Sequence, residues 1–325
     1  MSVTAAIAVA GVVAFAITGG LGFVIIPWLH KVKFGQTILD IGPSWHKKKQ
    51  GTPNMGGLMF IIGITVAFAV GAGLFAGLGG NLETDYSAIF SGRDRVLLIS
   101  SLMLGIGCGL VGFTDDFIKI KMKRNEGLTP KQKTVGQLVM TVGYVATLWI
   151  SKNTVWYFPF IGSVDFSKNV FTGIVFWALS VVIIYGCVNS ANLTDGIDGL
   201  CSSVTAVIAV SFIVMAYIMS FSGLGILAAA LLGGGVVAGL GFAIKCPILL
   251  LPICIVYVCE TMSDIIQIGY FKITHGKRIF KMAPIHHHFE MCGWKEKKIC
   301  RVFSLVNAIG CLIAVLIIYY GRAIY

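Results

Sequence analysis

The feature that most limits what this chain can become is the recurrence of apolar runs long enough to cross a bilayer, with nearly all charge confined to the gaps between them. Residues 5–29, 56–78, 96–114, 135–151, 171–188, 200–220, 248–271 and 302–320 each approach or exceed the ~20 apolar residues that a helical crossing needs. With 57% hydrophobic and 12% charged residues and a mean hydropathy of +0.88, an ordinary water-soluble domain is excluded. The first run has no Lys or Arg before Lys31, so it reads as a retained span and not as a secretory leader. No polar stretch is long enough to fold separately. Residues 1–325 are expected to form a single all-α, polytopic membrane bundle.

The basic residues orient this bundle. Segments 31–49, 119–133 and 272–301 hold 19 of the 25 Lys and Arg, which assigns them to the cytoplasm and the loops around Leu82 and Val155 to the outside. A parity conflict follows. Six spans counted from an outside amino terminus end outside, so one full crossing within 223–244 would carry the basic 272–301 segment to the wrong side. Either that run is re-entrant, bent at Gly233, Gly234 and Gly235, or the chain lacks residues that would make two crossings. The net charge of +11 lies in these loops without a nucleic-acid motif, so anionic lipid and a phosphorylated substrate are the expected partners. Nine cysteines without a CxxC read as small core hydrophobes.

Three polar clusters interrupt this pattern. GFTDDFIKIKMKRNEGLTPKQK places Asp115 and Asp116 at the edge of the third apolar run, where carboxylates are costly and usually have a task. Lys119, one turn beyond Asp115, can hold one carboxylate by an i,i+4 pair, and the lysines that follow attract anions. NSANLTDGIDGL brings Asn189, Asn192, Asp195 and Asp198 to the end of the fifth run. Asn192 and Asp195 share a helix face, whereas Gly196 and Gly199 loosen the helix beyond them. Such oxygens suit Mg²⁺, a sugar or a base; the plainer reading is a capped turn. GKRIFKMAPIHHHFE carries His286, His287 and His288, which point in different directions on any regular backbone. A three-histidine metal site is therefore not expected, and one ring acting as phosphate donor or proton shuttle is. The first loop, with Lys47, Lys48 and Lys49 before GTPNMGG, offers phosphate-binding lysines or simply the positive-inside signal.

Taken together, GTPNMGG, GFTDDFIK, NSANLTDGIDGL and GKRIFKMAPIHHHFE closely resemble the phospho-N-acetylmuramoyl-pentapeptide transferases of the polyprenyl-phosphate hexose-1-phosphate transferase superfamily, collinearly from about Leu29 to Trp294. The resemblance implies a ten-span enzyme of the bacterial cytoplasmic membrane with its active site on the cytoplasmic side. It would transfer phospho-MurNAc-pentapeptide from UDP-MurNAc-pentapeptide to undecaprenyl phosphate, giving lipid I and UMP for peptidoglycan synthesis and thus for cell shape and division, with Mg²⁺. It implies catalytic roles for Asp115, Asp116, Asp195 and His287, metal contacts at Asp116 and Asp195, and substrate contacts at Lys49, Asn54, Lys119, Lys133, Asn189, Asn192, Asp198, His286 and His288. A homodimer is compatible with the sequence and not determined by it.

The chain departs from this family in one place. An FMGDTGS-like loop between the seventh and eighth spans, whose Asp is associated with Mg²⁺, has no counterpart, because no aspartate occurs between Asp198 and Asp264. Impaired Mg²⁺ binding is the expectation. A dianionic lipid phosphate gains little from a general base, so Asp115 and Asp116 are expected to act by positioning and metal organisation, with direct in-line attack. The alternatives are a polyprenyl-phosphate GlcNAc-1-phosphate transferase, which would share the acidic motifs, and a non-catalytic membrane protein or transporter. A transporter would put charges near the midplane, whereas these gather at one face.

Overall fold

A computed structural model describes residues 2–31, 56–78, 94–122, 127–230 and 245–321. The apolar runs become helices because backbone amides and carbonyls have no water to bond in lipid and must satisfy one another along the segment. The elements are α1 (Val3–Lys31), α2 (Gly57–Gly77), α3 (Asp94–Met122), α4 (Pro130–Ile150), strands β1 (Val155–Phe158) and β2 (Gly162–Asp165), α5 (Val170–Thr194), α6 (Leu200–Ile218), α7 (Ser222–Ala230), α8 (Leu250–Ile253), α9 (Ile255–Ile273), α10 (Ile285–Met291) and α11 (Glu296–Gly321). Among the described residues six helices are long and apolar enough to cross a membrane, and α8 with α9, bent by 83°, would make a seventh. The chain is thus a multi-pass membrane protein; α4, less apolar, lies between α3 and α5.

Small residues set the closest approaches, as expected where lipid removes the hydrophobic drive between helices. Ala6, Ala10 and Ala14 form the buried stripe of α1. A side chain at Gly63 of α2 would run into Thr18, and one at Gly71 into Ala10 and Ile226 of α7. At the other end of the chain, Gly310 of α11 lies so close to the Pro252 carbonyl that a Cβ would overlap it. Next to it, the buried Asn307 repairs the break between α8 and α9. Its Nδ2 donates to the Ile253 carbonyl at 3.1 Å and its Oδ1 accepts from the Val256 amide at 3.4 Å. Backbone groups freed by the bend are thereby bonded inside an apolar environment, where leaving them unmade costs about 1–3 kcal/mol each.

α4 leads to a two-stranded antiparallel hairpin, the only sheet among the described residues, with Trp156 opposite Val164. Trp156, Phe166 and Phe176 cluster with centroids 4.9–5.8 Å apart and anchor it to α5. This hairpin marks the far face of the bundle, on which the chain near 222 and 245 also lies. α6 ends on that face, and α7 begins there, its Gly225 packed on Ile7 near the start of α1. The chain returns at Lys245, whose carbonyl accepts the Tyr157 amide of β1 at 2.8 Å. The start of α7 and Lys245 therefore lie on one face; residues 231–244 between them lie outside the described residues. Gly233, Gly234 and Gly235, where a bend was expected, lie outside the described residues. The described residues accordingly hold fewer spans than the ten implied by resemblance.

Two of the boundaries that differ from the sequence reading bear on the site. α3 does not stop at Thr114 but continues through Asp115 and Asp116 to Met122, and α5 continues past Val188 to Thr194. In both cases the polar residues are the last turns of a long helix, because side chains one turn away or on a neighbouring helix bond them.

Candidate active site

Opposite the hairpin, the ends of α3, α5 and α9 and the start of α4 form the basic face. Asp115 sits here, 5% exposed, with both oxygens occupied. Oδ2 pairs with Lys119 Nζ at 2.7 Å and Lys133 Nζ at 2.8 Å, and Oδ1 accepts the Leu128 amide at 2.8 Å. The expected i,i+4 pair is thus present, and a second lysine from α4 joins it. Lys133 is delivered by a capping box at the start of α4, where Thr129 and Gln132 bond each other's backbone and Pro130 opens the helix. Gly127 is required there, since any Cβ would overlap the Asp115 carboxylate and carbonyl. Asp116 is different. It is half-buried, and the bond recorded for it is a single pair from Oδ1 to Lys119 at 3.0 Å.

α4 and α5 are stitched together one turn further in. Thr134 meets the Tyr185 hydroxyl at 3.2 Å, and Asn189 Nδ2 donates to Gln137 Oε1 at 3.3 Å and to the Tyr185 carbonyl at 2.9 Å. Asn189 is therefore engaged in holding two helices together, while Asn192, three residues on, is exposed. α5 ends at Thr194, and a turn carries Asp195, Gly196 and Asp198 to Gly199, whose φ of +86° suits glycine. Loss of hydration, then the charge of Asp198, pushes the Asp195 carboxyl above the ordinary carboxylate range. It is the reverse of Asp115's surroundings, with a like charge nearby instead of two lysines.

α9 braces the histidine loop from below. Thr261 bonds Ser190 of α5 at 2.6 Å, and Gln267 Oε1 accepts the Ile279 and Phe280 amides at 3.2 and 3.0 Å. The three histidines take different hydrogen-bond partners, although the His286 and His287 rings lie with centroids 4.1 Å apart. His286 is fully buried; its Nδ1 bonds Glu260 Oε2 of α9 at 2.9 Å, and its ring fills the space that a Cβ of Gly196 would take. His287 Nδ1 bonds Glu290 Oε2 at 2.6 Å. His288 Nδ1 accepts the Lys281 amide at 3.1 Å and its ring meets the edge of Phe280, so it shapes the loop. Lys49 and Asn54 lie outside the described residues.

Sequence reading missed Glu260 and Gln267, and it took Gly196 as a helix loosener without its contact to the His286 ring. Glu260 and Gln267 are seven residues apart and so share one helix face, a spacing that would have flagged them as a pair, but nothing in it points to the loop they hold.

The donor chemistry fits a divalent cation in part. Mg²⁺ is commonly held by one or two carboxylates with substrate phosphate and water completing its shell. Asp195 beside Asp198 is a pair of exposed like charges that a cation would relieve, and Asp116 keeps a half-exposed carboxylate. Asp115 does not fit, because its oxygens are already bonded. Among the described residues no three carboxylate, histidine or cysteine side chains form a ready-made cage.

A sequence model of glycosyl transferase family 4 matches residues 98–245. Over 344 aligned positions the chain is 39% identical to a phospho-N-acetylmuramoyl-pentapeptide-transferase of Carboxydothermus hydrogenoformans, covering 95% of this chain and 96% of that protein. It is 37% identical to one of Acetivibrio thermocellus, covering 93% and 92%, and 38% identical to one of Desulforamulus reducens, covering 94% and 93%.

Proposed function

The chain belongs to the phospho-N-acetylmuramoyl-pentapeptide transferases, and on that premise we propose that it moves phospho-MurNAc-pentapeptide from UDP to a polyprenyl phosphate, undecaprenyl phosphate in particular. The observation that carries this is the 39% identity extending over 95% of the chain. The geometry supports it by gathering acids, lysines and histidines at one face, which we take to be the cytoplasmic side of a bacterial plasma membrane. Because the relatives named above act on the muramoyl pentapeptide by their names, a GlcNAc substrate is not favoured.

In the reaction an oxygen of the lipid phosphate bonds to the sugar-linked phosphorus. The bond from that phosphorus to the bridging oxygen breaks, and its electron pair leaves with UMP. A phosphate monoester has a second pKa of ~6 and attacks as the dianion at neutral pH, so no base is needed. The protein's task is to bring anions together and align them. Lys133, the more exposed partner of Asp115, is the lysine best placed to turn toward an entering phosphate without leaving its helix. Asp115 holds that lysine in place, and Asp116 supplies the carboxylate still open to a ligand. Asp195, Asp198 and Asp116 are the residues that would hold Mg²⁺, which when bound neutralises charge on the diphosphate.

Without an aspartate between Asp198 and Asp264, Mg²⁺ affinity should be weak. The test is radiolabelled transfer of phospho-MurNAc-pentapeptide to undecaprenyl phosphate across a Mg²⁺ titration. Lipid-linked product with half-saturation in the millimolar range or above is expected. Absence of product at any Mg²⁺ concentration would overturn the function, and saturation at micromolar Mg²⁺ would overturn the weak site.

A further inference from the structure

One face of α11 is sorted by polarity along its length. Lys298, Arg301, Leu305, Ile309, Leu312 and Leu316 recur every three or four residues, so they form a single stripe, and all six are exposed. Ile299, Phe303, Asn307, Cys311 and Ala314 make the opposite, buried face. Tyr319 and Tyr320, both exposed, close the stripe at its far end. At 1.5 Å per residue the helix rises about 28 Å from Arg301 to Tyr320, close to the ~30 Å of a bilayer's hydrocarbon core. The tyrosines therefore fall at one headgroup layer, where such rings collect, and Lys298, about a turn before Arg301, falls at the other.

The basic end of this stripe has a fixed geometry. The Lys298 ammonium lies 4.0 Å from the centroid of the Trp294 ring. That ring packs on Phe289 at 4.7 Å, and Phe289 meets Phe303 of α11 edge-on at 5.7 Å, so the platform under the lysine is tied back to the helix. A ring face attracts the charge without a carboxylate and leaves ammonium N–H groups able to donate elsewhere. Neither Lys298 nor Arg301 is ion-paired to a described residue. Arg301, three residues on, adds a planar fork that suits phosphate oxygens.

We propose that this end of α11 binds an anionic membrane phospholipid, its headgroup phosphate held between Lys298 and Arg301 and an acyl chain lying along Leu305, Ile309 and Leu312. Charge complementarity selects the anionic headgroup, and an apolar track of bilayer length selects a membrane lipid. The attraction of a basic face for such lipids is otherwise spread over three segments. Here two cations, an aromatic platform and an apolar track are aligned on one helix. A second copy of the chain fits the stripe poorly, because a two-fold axis along the membrane normal would set these cations against their own like charges. On the other side of the same turn, the Cys300 thiol donates to the Asp198 carbonyl at 3.6 Å, so a lipid seated here steadies a helix that touches the acidic turn. The site does not depend on the transferase reaction.

The test titrates the full-length protein in detergent with phosphatidylglycerol or phosphatidylcholine and reads bound lipid by native mass spectrometry. The unaltered protein should bind phosphatidylglycerol more tightly. Lys298→Gln with Arg301→Gln should weaken it about tenfold or more with little change for phosphatidylcholine, and Lys298→Arg should retain it. Lys295→Gln with Lys297→Gln removes the same charge from exposed positions off the stripe and should keep most of the preference. All four side chains are exposed, so the variants should fold, which an unchanged melting temperature in phosphatidylcholine verifies. Equal weakening by the two double variants would mean diffuse charge alone and overturn the site, as would an unaltered protein without preference for phosphatidylglycerol. Displacement of phosphatidylglycerol by equimolar undecaprenyl phosphate would give the site to a polyprenyl phosphate, and cross-linking of Ile309→Cys between copies would give the stripe to a second copy. Either result would overturn the phospholipid assignment.

Discussion

Two acidic sites on the same face of this bundle are built in opposite ways. Asp115 is buried among partners that answer it, with two lysines and a backbone amide on its two oxygens. On the turn after α5, Asp195 lies beside the like charge of Asp198 and its carboxyl is pushed above the ordinary range, and the buried His286–Glu260 pair under the same turn keeps two polar atoms without a partner among the described residues. The contrast separates a carboxylate answered by two lysines from one set beside a like charge, and it does so for residue types that look alike in the sequence.

The sharpest way to break the comparison is to empty the saturated site. Asp115→Leu leaves Lys119 and Lys133 without their shared partner and should lower stability by about 3 kcal/mol, the low end for a broken buried pair because Lys133 can turn to water. Thermal unfolding in detergent checks this; a change below about 1 kcal/mol would place Asp115 among the unsatisfied groups. Next in size, Gly196→Ala puts a methyl into the His286 ring and should cost about 1–3 kcal/mol through overpacking, with loss of turnover. An unchanged turnover would show that the turn and the ring are not packed as described.

The smallest effect has the opposite sign. Asp195 in the folded protein binds its proton more tightly than in the unfolded chain, so its ionisation disfavours folding as pH rises through the ordinary carboxylate range toward the raised value. That cost is present at neutral pH and absent in acid below both values. Asp195→Asn should therefore raise the melting temperature of the ligand-free protein slightly at pH 7, by about 1 kcal/mol or less in stability, and the difference should vanish at low pH. A destabilised Asp195→Asn at pH 7 would show that Asp195 is already satisfied, and the comparison would fall.

How far the sequence carried depends on the reach of each interaction. The Asp115–Lys119 pair is local to one helix turn and was readable from spacing. That no two of the three histidines share a hydrogen-bond partner is in line with the backbone geometry expected of consecutive residues. Lys133 as a second partner, and Glu260 beneath His286, 26 residues away in the chain, involve different helices, and no periodicity reports them. The same holds for the 222–244 stretch. Its length and basic flanks posed a conflict, and only the bond from Tyr157 to Lys245 showed that both ends lie on one face.

By itself the sequence determined that this is a predominantly helical, multi-pass membrane chain and which polar motifs stand in the gaps between its apolar runs, because hydrocarbon imposes rules that read residue by residue. Tertiary structure decided which of two adjacent aspartates is filled and which is open, which histidine reaches the acidic turn, and that the broken helix is mended by Asn307. Those outcomes rest on side chains brought together from distant helices, where a single ångström separates a bonded carboxylate from an unanswered one.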